Sequence, residues 1–99
     1  MLNTNMTKSE IEGFLHGKGA FVQIDYLNRF LKEPLGIGMK KFVLLKLASL
    51  HEESKLFVEA AKMYENAAGV SIAFTEKIKN YMKAVELYVK NVLELCALV

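Results

Sequence analysis

Two histidines are the first residues in this 99-residue chain that could support chemistry. His51 is followed by Glu52 and Glu53, but a zinc helix of the metalloprotease type needs a second histidine four residues later, where this chain has Lys55. His16 is distant in sequence, and two histidines alone do not complete the three or four ligands of a zinc site. We therefore predict that His51 packs in the core or lines a groove and that the two histidines do not form a metal site.

The single cysteine and one glycine-rich stretch are the other candidates. Cys96 has no His, Lys or Arg three or four residues away to lower its pKa, so a structural thiol is expected. Gly36-Ile37-Gly38 precedes Lys40 and Lys41 at a predicted helix start, where an anion could bind. The pattern is neither a P-loop nor a dinucleotide-binding fingerprint, and an ordinary turn is expected. No enzyme activity and no cofactor are predicted.

Composition is typical of one small folded domain. Apolar residues make up 53% of the chain and charged residues 24%, with a net charge of +2 and one proline. This charge is too small to indicate a nucleic-acid or anionic-membrane surface by itself. One cysteine excludes an internal disulfide, which favours a reducing compartment, and no leader or membrane-spanning stretch is recognisable. The sequence predicts a soluble cytoplasmic protein.

A helical hairpin over residues 44–68 is the element that must position any site. Its second half places six residues on one face of a helix with a period of 3.6 residues: Phe57, Ala60, Ala61, Tyr64, Ala67 and Ala68. Alanines along an apolar stripe allow close approach of another helix. The break at Ser54-Lys55-Leu56 lacks glycine, so we expect Lys55 in an unusual backbone conformation or a tight bend.

The rest of the chain also predicts helices. Thr7 and Glu10 form a capping box before a helix that starts at Lys8 and ends at Gly17-Lys18-Gly19. Three further helices are predicted over 20–33, 39–54 and from about 72 or 76, after a cap at Ser71 or Thr75, to about 97. The second is expected to bury Phe21, Ile24, Leu27, Phe30 and Leu31. The last is expected to have an apolar face of Ile78, Tyr81, Ala84, Val85, Tyr88, Val92 and Leu95. Gly69 is the expected end of the hairpin.

The helices recur with a period near 36 residues, as in the pairs Phe21/Phe57 and Ala48/Ala84. With this period, the chain resembles the tetratricopeptide-repeat (TPR) family, pairs of antiparallel helices of ~34 residues with small residues at close contacts. The likeness lies mainly in the central copy, at Leu44, Leu47, Ala48, Phe57, Ala60, Tyr64 and Ala67. His51 stands where the family usually has an aromatic residue, and Ile72 stands where it usually has a terminating proline.

The resemblance implies an all-α fold of stacked antiparallel hairpins, a short TPR-like solenoid of about five helices in a single domain, 1–99. Its repeats would cover about 7–42, 43–78 and 79–99, the last incomplete. It further implies a non-catalytic interaction module or scaffold that binds a protein partner, a peptide or a helix, in a groove. The groove-facing positions would be Leu45, Ser49, Glu52, Glu53, Met82, Glu86 and Lys90, which favour a basic or mixed-charge segment.

The apolar C-terminal segment indicates a second surface. Repeat arrays usually end in a helix with a polar outer face, whereas here the chain ends in apolar residues. Either the tail packs on its own domain, or a second copy covers it in a homodimer, or the chain belongs to a longer array. The self-association residues would be Leu93, Leu95, Leu98 and Val99.

A nucleic-acid accessory protein is the alternative function. A row of Lys77, Lys79 and Lys83 within about two helical turns, together with Lys40 and Lys41, would meet phosphates. The low net charge and the single arginine, Arg29, argue against it.

Overall fold

The computed structural model describes residues 6–97, which form five helices and contain no strand. The helices are α1 (Lys8–Leu15), α2 (Ala20–Leu31), α3 (Ile37–Glu53), α4 (Phe57–Val70) and α5 (Phe74–Ala97). The predicted all-α stack of about five helices is confirmed, with α4 packed extensively on both α3 and α5. Residues 42 and 78, the predicted repeat ends, lie inside α3 and α5.

Local signals set most of the helix ends. The Thr7 side chain accepts from the Glu10 N–H at 3.2 Å, and the Glu10 side chain accepts from the Thr7 N–H at 3.1 Å, so the predicted capping box is confirmed. Gly17 takes a φ of +79° just after α1, a conformation that favours glycine. Lys55 has a φ of +62° between α3 and α4, as expected from a bend without glycine.

Four details of the predicted elements are wrong. The expected turn at Gly36-Ile37-Gly38 is shorter, because α3 begins at Ile37 and includes Gly38. Neither Ser71 nor Thr75 caps α5, because the Ser71 hydroxyl donates to the Ala67 carbonyl at the end of α4 and Thr75 lies inside α5, which begins at Phe74. Gly69 lies within α4, which runs one residue further. Phe21 is 77% exposed because the buried face of α2 consists of Ile24, Leu27 and Phe30, and Phe21 lies outside it.

Two apolar clusters hold the stack together. The first joins α1, α2 and α3 through Ile11, Leu15, Ile24, Leu27, Phe30, Val43, Leu47 and Leu50. The second joins α4 and α5 through Phe57, Ala60, Ala61, Ala84 and Leu87. Ala60 and Ala61 are fully buried, in keeping with the close approach that their small side chains allow.

Side chains also link helices that alternate in the stack. Lys46 and Glu12, 34 positions apart, form an ion pair of 3.1 Å between α3 and α1, and the Lys8 ammonium lies 5.7 Å from the ring centre of Phe42. Lys41 pairs with Glu76 at 2.7 Å between α3 and α5. Lys8 and Glu12 of α1 meet Phe42 and Lys46 of α3 in the same order. Lys41 and Glu52 of α3 likewise meet Glu76 and Lys83 of α5 in the same order, so α1, α3 and α5 run in one direction.

Candidate interaction groove

Helix α5 has three different faces, and this division defines the candidate site. One face packs on α4 through Asn80, Ala84 and Leu87. A second carries charged side chains toward α3, where Glu76 meets Lys41. The third face is apolar and uncovered. The sequence-based face of α5 is therefore wrong, because of its seven members only Ala84 is buried and only Tyr88 is half-buried.

The uncovered face is a line of large apolar side chains. Their exposed fractions are 43% for Ile78, 66% for Met82, 60% for Val85, 51% for Val89 and 56% for Val92. A continuous apolar surface of this kind marks an interaction site more often than isolated exposed apolar residues do.

An open groove of about 780 Å³ lies beside the first part of this line. Ile78, Met82 and Val85 form its apolar wall, and Lys79 and Glu86 are among its charged lining residues. The remaining lining residues are Tyr64, Thr75, Asn80 and Lys83. An apolar wall with a few charged groups at the rim is suited to an amphipathic segment, whose apolar side would cover the wall.

The charged end of the groove is organised around Lys83. Its Nζ lies 3.3 Å from Glu52 Oε2 on α3 and 3.9 Å from Glu86 Oε1 on α5. Burial lowers the pKa of Lys83, but the hydrogen bond and charge of Glu52 outweigh it and the pKa is raised overall, which keeps Lys83 charged. Burial, with the charge of Glu52 second, also raises the pKa of the Tyr64 hydroxyl.

Among the described residues, two buried polar side chains each have one nitrogen atom without a hydrogen-bond partner. Asn80 is 6% exposed, and its Nδ2 makes no hydrogen bond within residues 6–97. His51 is 8% exposed at the end of α3, with its Nδ1 likewise unpaired in the described part of the chain. Burial lowers the pKa of His51, and the nearby charge of Glu59 only partly opposes this. His51 is therefore a packed histidine, as expected from the sequence.

The structure brings only part of the predicted groove together. Met82 and Glu86 line the observed groove, and Glu52 reaches it through Lys83. Leu45, half-buried, and the exposed Ser49 and Glu53 are not among the lining residues. Lys90 is not either, since its ammonium lies 4.9 Å from the ring centre of Phe57.

Seven lining residues of this groove are absent from the groove predicted from the sequence: the apolar Ile78 and Val85, together with Tyr64, Thr75, Lys79, Asn80 and Lys83. The signal that identifies the two apolar residues is the alternation of three- and four-residue spacings among apolar positions from 78 to 92. The face predicted from the sequence shares Ile78, Val85 and Val92 with this line, but it also includes the buried Ala84 and omits Val89. Lys79 then follows as the charged residue directly beside the line.

Two of the four predicted self-association residues, Leu93 and Leu95, lie at an overhang of α5. Phe57, the first residue of α4, is level with Lys90, so α5 continues past the end of α4. Leu93 is 63% exposed and Leu95 56%, and the neighbouring residues from 94 to 97 are exposed as well. Leu98 and Val99 lie outside the described residues.

The predicted lysine row is divided among different neighbours. Lys77 donates to the Ala68 carbonyl at the end of α4 at 3.2 Å, while Lys83 and Lys41 pair with Glu52 and Glu76 on the side between α3 and α5. Lys79 has no ion pair with any residue that the structure describes. These lysines therefore do not form one continuous cationic surface.

Within 6–97, no three His, Cys, Asp or Glu side chains are grouped so as to hold a metal ion. Among the described helices, none has both the length and the apolarity required to cross a bilayer.

Comparison of the chain with protein-family models, with curated proteins and with solved structures found no match in any of the three.

Proposed function

We propose that this chain is a non-catalytic protein-interaction module, a short TPR-like helical scaffold whose open face on α5 receives a helical segment of a protein partner. The observation that carries the proposal is the uncovered apolar line of α5 beside a groove of about 780 Å³. In a stack of helices, such a face is the position where the next helix would pack.

The repeat character is supported by the links between alternate helices. Lys8/Phe42 and Glu12/Lys46 join α1 to α3 at a spacing of 34 residues. Lys41/Glu76 joins α3 to α5 at nearly the same spacing, and Glu52/Lys83 joins the same two helices at 31 residues. The TPR family has a period of ~34 residues, with corresponding helices of successive units side by side. The proposed site extends the stack in the same direction.

A labelled synthetic peptide tests the binding function directly. The probe is an amphipathic helical peptide with leucine at the a and d positions of each heptad and alternating lysine and glutamate at e and g. We expect saturable binding by fluorescence anisotropy, because the peptide has an apolar stripe as long as the apolar line of α5, with charges of both signs beside it.

Val85→Asp should abolish this binding, since it places a charge at the centre of the apolar wall. Phe21→Asp is the matched control, because Phe21 is an exposed apolar residue on α2, outside the groove. Absence of binding to the unaltered chain, or equal loss with both substitutions, would contradict the proposal.

Self-association through α5 is a second proposed property, favoured by the exposure of Leu93 and Leu95 on the overhang. If the overhang itself forms the contact between copies, removal of residues 92–99 should reduce the molar mass in solution from that of a dimer to that of a monomer. The nucleic-acid alternative has no comparable observation in its favour, because its lysines are largely engaged within the chain.

A further inference from the structure

The uncovered line on α5 has the spacing of a coiled-coil seam. Ile78, Met82, Val85, Val89 and Val92 alternate at four and three residues, on the side of α5 opposite α4. Thr75 and Cys96, both exposed, continue the same spacing at either end. Apolar residues with this heptad spacing pack between two helices as knobs into holes.

We propose that a second copy of this chain occupies the seam, with α5 against α5 in antiparallel orientation. The inference rests on the proposed function, in which the same face receives a helix, and it identifies that helix. The charges beside the seam select the partner, the orientation and the register.

Orientation follows from the two flanks of the seam. One flank carries Lys79 and Glu86, whereas the other carries the aromatic side chains of Tyr81 and Tyr88. In a parallel pair each flank meets the opposite flank of its neighbour, so the charges would face tyrosines. In an antiparallel pair like flanks meet, which brings Lys79 and Glu86 of the two copies together.

Register follows from the signs of these charges. With the two-fold axis level with the Lys83–Ala84 peptide, Met82 lies opposite Val85 of the second copy and Ile78 opposite its Val89. Lys79 then lies opposite Glu86 of the second copy, and symmetry repeats this ion pair. A shift of one heptad in one direction places Glu86 opposite Glu86 of the second copy, and a shift in the other direction places Lys79 opposite Lys79. Of these three registers, only the first brings opposite charges together.

Both charged groups are available for this contact. Lys79 makes no ion pair within the described residues, and Glu86, with a side chain that is 67% exposed, has only the long 3.9 Å approach of Lys83. Tyr81, 47% exposed, would meet Tyr88 of the second copy on the other flank, where aromatic pairs add to the apolar contact. A surface that is complementary to itself closes as a two-fold dimer.

Sedimentation equilibrium of the full chain and two charge variants tests this arrangement. We expect a concentration-dependent dimer. Lys79→Glu or Glu86→Lys alone should raise its Kd roughly tenfold, because each change makes two exposed ion pairs repulsive. An equimolar mixture of the two variants should recover dimerisation, since a carboxylate at position 79 or 86 of one chain then always faces an ammonium of the other.

The orientation has an internal reporter in Cys96. In the antiparallel register the two Cys96 side chains are more than ~35 Å apart at 1.5 Å per residue, whereas a parallel pair would place them side by side. Treatment with a mild thiol oxidant should therefore leave the dimer without a disulfide. Rapid formation of a disulfide-linked dimer would overturn the orientation.

The remaining outcomes separate this inference from the proposed function. A monomer that still binds the leucine heptad peptide through Val85 would overturn the dimer and leave the binding function intact. A monomer that does not bind the peptide would contradict both. If the dimer is insensitive to both charge reversals but a chain ending at Asn91 is monomeric, the overhang and not the seam forms the contact between the two copies.

Discussion

Lys83 on α5 and Glu52 on α3 form an ion pair of 3.3 Å between helices that are not consecutive in the chain. Both side chains are about one-third exposed, so the pair is only partly protected from water. Together with Lys41/Glu76, it holds α5 beside α3 as well as against α4.

Replacement of Lys83 by Gln should lower the free energy of unfolding by up to about 1 kcal/mol, the usual range for an incompletely buried pair. Glu52→Lys should lower the free energy of unfolding further, because it places a second positive charge next to that of Lys83. The double variant Glu52→Lys/Lys83→Glu should regain most of the loss in urea unfolding. A double variant no more stable than either single one would show that the pair contributes nothing.

The stability of the protein should fall as the pH drops below about 6.5. Burial lowers the pKa of His51 from its ordinary value of 6.5, so near this pH the unfolded chain binds more protons than the folded chain. The urea midpoint should therefore be highest above pH 6.5 and should decrease between pH 6.5 and 5.

His51→Leu should make this decrease shallower, because it removes the titrating group from the buried site. His16→Asn is the matched control, since His16 is exposed, and it should retain the pH dependence of the original chain. Identical pH profiles for all three proteins would refute the role of His51.

Gly69→Ala should stabilise the protein by about 0.5–1 kcal/mol, because Gly69 lies inside α4 and glycine is a poor helix former. A Cβ added there meets no atom within 4 Å. Gly17→Ala should instead destabilise by about 1–2 kcal/mol, since its φ of +79° is strained for alanine. The melting temperatures of the two variants should shift in opposite directions from that of the original chain. Shifts in the same direction would contradict these assignments.

Asn80→Leu should raise the free energy of unfolding by about 1 kcal/mol. The substitution keeps the approximate shape of the side chain and removes a buried donor that has no partner within residues 6–97. Asn66→Leu, at an exposed position of α4, should change stability by less than about 0.5 kcal/mol. A loss of stability in Asn80→Leu would mean that Nδ2 is hydrogen-bonded in solution.

Local signals made much of the fold predictable. The Thr7 and Glu10 capping box, the turn at Gly17 and the positive φ of Lys55 each depend on residues close in sequence. The alanines of α4 were also predictable, because a buried stripe of small residues has few uses other than close helix packing. The number and order of the helices followed from these elements.

The site was less predictable because α5 has two apolar faces of similar periodicity. The face predicted from the sequence joined Ala84 to the larger side chains of Ile78 and Val85. The structure buries Ala84 and Leu87 and leaves Ile78 and Val85 exposed, and the alanine-rich surface of α4 allows Ala84 to approach closely. Choosing between such faces requires the surface of the neighbouring helix, which no local pattern contains.

The overhang of α5 past Phe57 divides this helix into two regions of different local stability. Up to Lys90, opening the helix would also break contacts with α4, whereas over residues 92–97 only the hydrogen bonds of the helix itself must break. In a monomer, backbone amides should therefore exchange with deuterium within the last turns long before those near Ala84. The end of α5 would thus lose and regain its helical structure independently of the folded core.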